Sequence, residues 1–326
     1  MPSAEQLKAL LKSHIEGNDE HFLSVAMQVA AHEARNGHGK LAHDLRALID
    51  SAKKERAITK KPTPMVRPKG ELIELFSAGY PQLHLADIVL PNTIKQRLTR
   101  LIKEHRNVQK IRAHGLSPRK KMLLIGPSGT GKTMTASVLA GELSLPLFVV
   151  RLDSLMTKFM GETAAKLRLI FDAISQTRGV YLFDEFDSIG AHRGLTNDVG
   201  EIRRVLNSFL QLIEQDDSDS LLVAATNHPE LLDKALYRRF DDVVEFLLPN
   251  KTEISKALKS KTAAFPTARI QWAKVAESGE GMSYGDITGA CQDAIKNAII
   301  HDKPKLLQKD LVAALEERRH SHVRRN

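Results

Sequence analysis

The chain has 326 residues, 42% of them hydrophobic and 27% charged, a composition that supports ordinary globular cores and lies far from that of chains that stay unfolded. Its one cysteine, Cys291, excludes an internal disulfide framework, and no Cys/His cluster beside it offers a structural zinc site. The formal charge of +9 is concentrated in residues 53–70 and 318–326, which reads as a solvated basic linker and tail, with contact to a polyanion such as nucleic acid as the less favoured reading.

No apolar run reaches the length of about 18 residues that a membrane span needs, and the first twenty residues do not form a charged segment followed by an apolar one. A cytoplasmic protein without a membrane partner is expected. Residues 1–57 read as a small helical unit. Its apolar series are Leu7, Leu10, Leu11 and Ile15, then Phe22, Leu23, Ala26, Met27 and Ala30, then Leu41, Leu45, Leu48 and Ile49, with a break at Asn36-Gly37-His38-Gly39. The stretch ITKKPTPMVRPKG has prolines among bases and no apolar period, so residues 58–83 are expected to be a linker.

From residue 84 to 249, short apolar runs alternate with helical stretches. This is the pattern of an α/β domain with a parallel sheet covered by helices on both faces. The runs start at Met122, Leu147, Val180, Leu221 and Val243, which gives five strands. Residues 250–320 return to helical periodicity at 251–262, 268–276, 283–300 and 307–319, predicting a separate helical lid before the basic tail at 321–326.

Between the run ending at Ile125 and the helix that follows lies Gly126-Pro-Ser-Gly-Thr-Gly-Lys132-Thr133, a match to G-x-x-x-x-G-K-[ST] in the strand-loop-helix setting it requires. Glycines let the backbone turn its N–H groups on phosphate oxygens, and the next helix presents its N-terminus to the same anion. The predicted nucleotide contacts are Gly126, Pro127, Ser128, Gly129, Thr130, Gly131, Lys132, Thr133 and Met134. Lys132 is expected to reach the β and γ phosphates, and Thr133 to ligate Mg²⁺. About 50 residues on, VYLFDEFD ends a buried strand on acidic residues. Asp184 is expected to hold Mg²⁺, Glu185 to polarise the attacking water, and Asp187 to act as a supporting partner.

Three further segments follow in order: Ala225-Thr226-Asn227, Leu232-Asp233-Lys-Ala-Leu-Tyr-Arg238-Arg239-Phe240-Asp241, and Gly281-Met-Ser283-Tyr-Gly285-Asp286-Ile287. With the two nucleotide motifs, this series resembles the ATPases of the AAA family over roughly residues 84–320. The resemblance implies ATP and Mg²⁺ as cofactors, Asn227 as the sensor of the γ-phosphate, and Arg238 and Arg239 as arginine fingers. The fingers are in the short Arg-Arg-Phe form seen in spastin and katanin. Fingers act on a neighbour's nucleotide, so the resemblance also implies a homo-oligomeric ring, a hexamer.

The lid motif departs from the family's Ser-Gly-Ala-Asp-Ile at Tyr284 and Gly285, and carries no lid arginine. Asp87-Ile88-Val89 is similar to the segment that contacts adenine. Lys158-Phe159-Met160-Gly161-Glu162 stands where the family has its pore loop, so Phe159, Met160 and Gly161 are expected to grip an extended polypeptide. A second loop is expected at Gly190–Gly194, ahead of Arg203 and Arg204. The resulting expectation is a protein-remodelling motor whose N-terminal helices recruit a client or effector. The alternatives are an ATP-controlled switch for a separate nuclease or protease, and a nucleic-acid-handling ATPase.

Overall fold

The structure is a computed structural model that describes residues 8, 19–35, 38, 41–47, 49, 70, 72–155, 160–187, 199–232 and 234–323. The chain divides into two compact units, Met1–Pro62 and Thr63–Asn326.

In the first unit, α1 spans Asp19–Arg35 and residues 41–47 are helical. The buried positions of α1 include Val25, Val29, Ala30 and Glu33, while Ala26 and Met27 are only partly covered and Leu41 is exposed. The inward face therefore lies to one side of the line that the sequence periodicity picks out. Glu33 occupies a buried position on that face, where its carboxylate hides the apolar repeat, and it is held by His38, whose Nδ1 lies 2.6 Å from Glu33 Oε2. Leu7, Leu10, Leu11, Ile15 and Leu48 lie outside the described residues.

In the second unit the chain runs through α2 (Leu72–Leu75), β1 (Phe76–Gly79), α3 (Asn92–Arg106), α4 (Val108–Ala113), β2 (Lys121–Ile125), α5 (Lys132–Leu143) and β3 (Leu147–Val150). It continues through α6 (Leu152–Leu155), α7 (Met160–Gln176), β4 (Val180–Phe183), α8 (Val199–Gln215), β5 (Leu221–Thr226), α9 (Lys234–Tyr237) and β6 (Asp242–Glu245). Among the described residues one six-stranded sheet forms in the order β1-β3-β4-β5-β2-β6, parallel except for β1.

The sheet thus has one strand more than the sequence pattern indicates, and the extra strand falls inside the segment expected to be linker. Its residues, Phe-Ser-Ala-Gly, are exposed apart from Phe76, so no alternation marks them. What holds β1 is tertiary: Phe76 packs edge-on against Phe148 and Tyr181 at 5.8 and 5.7 Å between ring centres.

The central strands are buried on both faces, and their side chains alternate between two cores. Leu123, Phe148, Tyr181, Phe183 and Leu222 point into the core beneath α7 and α8. Met122, Leu124, Leu182, Val223 and Ala225 point into the core beneath α3 and α5. Helices therefore cover both faces, as expected of an α/β sheet.

The lid comprises α10 (Lys251–Thr262), α11 (Trp272–Ser278), α12 (Tyr284–Ile300) and α13 (Gln308–Val323), around its own core of Leu258, Ile287, Cys291, Leu311 and Leu315. Burial pushes the Cys291 thiol up to about 12, which leaves it protonated and unreactive. Capping boxes start α10, at Asn250 and Glu253, and α12, at Ser283 and Asp286. No described helix is long and apolar enough to cross a membrane.

Candidate active site

Strand register brings the nucleotide motifs together. In the parallel sheet Ile125 is level with Thr226, and Phe183 with Ala224. The residues that follow these strands, Gly126, Asn227 and Asp184, therefore emerge at one edge, at the C-terminal ends where α/β sheets bind ligands.

The phosphate loop turns through left-handed backbone at Gly126, Gly129 and Gly131, with φ of 139°, 73° and 102°. Lys132 is buried, and its ammonium donates to Gly126 O at 2.7 Å, Pro127 O at 2.8 Å and Asn227 Oδ1 at 2.8 Å. Burial pushes the ammonium below its usual range, while Asp184 and Asp187 pull it back up. Thr133 Oγ1 donates to Asp184 Oδ2 at 2.6 Å, and Glu185 N donates to Asp184 Oδ1 at 3.0 Å. A hydroxyl oxygen beside a carboxylate is a donor set that fits a hard divalent cation such as Mg²⁺, shared with phosphate oxygens.

Glu185 is exposed and has φ 50°, a left-handed conformation that costs a side-chain-bearing residue about 1–2 kcal/mol. The turn is pinned from behind. Phe186 N donates to Ala225 O at 2.8 Å, and the buried Asp187 carboxylate accepts from Thr226 Oγ1 at 2.8 Å and Asn227 N at 3.2 Å. Asp187 thereby fixes the backbone that carries Asn227.

A cavity of about 480 Å³ lies over these groups. Asp87, Ile88, Ser128–Met134, Asp184, Glu185 and Asn227 line it, while Gly126 and Pro127 sit behind it and hold Lys132 with their carbonyls. Gly285 N of the lid donates to Gly129 O at 2.9 Å, and Gly285 Cα is so placed that a Cβ there would lie 3.4 Å from Gly129 Cα. It is Gly129 that lets α12 begin directly on the phosphate loop, because a Cβ there would overlap Ser283 Oγ.

Arg238 and Arg239 do not reach this cavity. Arg238 is exposed, and Arg239 Nε pairs with Glu214 Oε1 at 2.8 Å. Phe159 lies outside the described residues, as does the stretch from Gly190 to Gly194. Met160 and Gly161 open α7, and Arg203 and Arg204 fall within α8.

Two arginines counted in the C-terminal charge excess lie within the helix expected at 307–319 and are tied into the fold. Arg319 donates to Ser278 O and Glu280 O, both at 2.8 Å, and Arg318 lines the cavity. Both belong to helix α13, which runs on to Val323.

A family model described as "ATPase family associated with various cellular activities (AAA)" matches residues 122–248. The chain is also 36% identical over 318 residues to the uncharacterized AAA family ATPase y4kL of Sinorhizobium fredii, covering 97% of this chain and 96% of that protein. The chain belongs to the AAA family of ATPases.

This AAA ATPase is also 33% identical to the proteasome-activating nucleotidase of Methanoregula boonei, over 62% of its own length and 48% of the relative's. It is 33% identical to the ATP-dependent zinc metalloprotease FtsH 1 of Methylacidiphilum infernorum, over 71% of its own length and 38% of the relative's. The chain spans less than half of each of these two proteins. Among the described residues, no group of three or more His, Cys, Asp and Glu is placed to hold a metal ion.

Proposed function

We propose that this AAA ATPase is one subunit of a homo-oligomeric ring, a hexamer by family resemblance, whose hydrolysis of ATP drives the remodelling or unfolding of a protein client in the cytoplasm. The observation that carries the reading is the division of the catalytic set. Lys132, Thr133, Asp184, Glu185 and Asn227 share one cavity, while Arg238 and Arg239 stand outside it on the same chain. A finger so placed serves a nucleotide held by the next copy.

In the proposed mechanism Lys132 turns from the loop carbonyls to the β and γ phosphates. Thr133 and Asp184 would hold Mg²⁺, which when bound would supply positive charge against the phosphate oxygens. Glu185 accepts the proton of the water that attacks the γ phosphorus. Lys132 donates only, so the Asn227 atom facing it is the amide oxygen, and the Asn227 NH₂ is left to orient the water or the phosphate.

Work on a protein is supported by the sequence Phe159-Met160-Gly161, whose last two residues open α7, and by relatives whose names denote a proteasome activator and a protease. A compact N-terminal unit of its own supports recruitment of a client or of a separate effector. The nucleic-acid reading loses two of its cations, because Arg318 and Arg319 are tied within the lid.

The test is Glu185→Gln in ATP and Mg²⁺, followed by light scattering and client capture. A larger assembly, hydrolysis slowed at least about tenfold and a retained protein are expected. Turnover near that of the wild type, or a single-chain mass at saturating ATP, would overturn the reading. Phe159→Ala is expected to keep ATPase activity and lose work on the client.

A further inference from the structure

The face of α12 formed by Gly285, Thr288, Gly289 and Gln292 lines the nucleotide cavity, with spacings of three and four residues that put all four on one side of a helix. Gly285 rests on the phosphate loop. Gly289 lies one turn further out, about 6 Å along the helix axis. Over it lies the guanidinium of Arg318, delivered from α13: a Cβ at position 289 would overlap the Arg318 Cζ, Nη1 and Nη2 atoms.

Arg318 is held in that position by carboxylates of α12. Its Nη1 donates to Asp293 Oδ2 at 2.6 Å, and its Nε lies 4.0 Å from Asp286 Oδ1. Asp286 in turn closes the capping box with Ser283.

We propose that Arg318 is a nucleoside-contacting residue of the lid, packing its planar guanidinium against the adenosine part of ATP rather than binding the phosphates. The proposal rests on the reading of this cavity as the ATP site. Two observations favour the nucleoside. The phosphate end is fixed by Ser128–Thr133, so a group one turn out along α12 meets the part of the ligand beyond the phosphates. The charge of Arg318 is also already balanced by Asp293 and Asp286, so it retains a flat, donor-edged surface suited to a base or ribose more than a free cation for an anion. The lid motif lacks an arginine of its own, and this one reaches the cavity from a different helix.

The experiment compares affinities for ATP and for inorganic tripolyphosphate in the full chain, measured by competition with a fluorescent ATP analogue. In Arg318→Ala, ATP binding is expected to weaken about tenfold while tripolyphosphate binding stays at the wild-type value. Unchanged ATP affinity, or an equal loss for both ligands, overturns the proposal. Gly289→Ala provides a second route that keeps the arginine and improves the helix: it is expected to hold or raise thermal stability yet weaken ATP binding. In the double variant the two losses should not add, because both act through one guanidinium. Additive losses would contradict the proposal. If the wild-type chain binds neither ATP nor tripolyphosphate, the ATP-site reading itself fails, and that result is distinct from all of these.

Discussion

Lys132 and Asn227, 95 residues apart in the chain, are joined by a 2.8 Å hydrogen bond from the ammonium to the side-chain oxygen. Two parallel strands, β2 and β5, hold them there, and Asp187 anchors the Asn227 backbone from behind. The lysine proposed to bind the phosphates and the asparagine proposed to sense the γ-phosphate are therefore mechanically one unit.

Asn227→Ala removes that link and the oriented amide while leaving Lys132 its two carbonyl partners. ATP affinity is expected to change less than about threefold, while single-turnover hydrolysis falls by about a hundredfold. A hydrolysis rate within a factor of about two of wild type would show that the amide plays no part in the chemical step.

The left-handed φ of 50° at Glu185 makes a stability prediction that can be separated from catalysis. In most sites glycine is less stable than alanine by about 0.5–1 kcal/mol. At position 185 the order should reverse, with Glu185→Gly more stable than Glu185→Ala by about 1 kcal/mol in urea unfolding, both variants being inactive. Alanine equal to or better than glycine would mean that the residue is unstrained in solution.

His105, in the last turn of α3, is buried with Nε2 2.6 Å from Arg119 O, and burial pushes its pKa below the ordinary value of 6.5. The unfolded chain therefore takes up a proton at a higher pH than the folded one. Stability should fall as pH drops below about 6.5, by at most about 1.4 kcal/mol per pH unit from this group, and level off once the folded histidine also titrates. His105→Gln keeps a donor for Arg119 O without the titration, so its unfolding free energy should be less pH-dependent than wild type between pH 7 and 5.5. Identical slopes in the two proteins would show that His105 titrates alike in folded and unfolded states.

The parts of the site that lie in continuous sequence are legible without a structure. Gly126–Thr133 and Asp184-Glu185 are each contained within eight residues and follow apolar runs that form β2 and β4. The parts assembled across the fold are not. Nothing near Asp187 shows that it positions Asn227, and nothing near Arg318 shows that Gly289 opens a place for its guanidinium, because both relations depend on register and helix packing. Strand β1 escapes for a related reason: three of its four residues are exposed, and its place is set by Phe76 against Phe148 and Tyr181. In the N-terminal unit a buried Glu33 disguises the inward face of α1 as an outward one.

The central claim, an active site finished by a neighbouring copy, is tested most directly by mixing two inactive chains. Arg238→Ala with Arg239→Ala leaves the nucleotide cavity intact but removes the fingers, and Lys132→Ala disables the cavity but leaves the fingers. Each alone should hydrolyse ATP at least about a thousandfold more slowly than wild type. Mixed in equal amounts, they should recover a sizeable fraction of wild-type ATPase activity. No recovery at any mixing ratio, with co-assembly of the two chains demonstrated, would contradict the account.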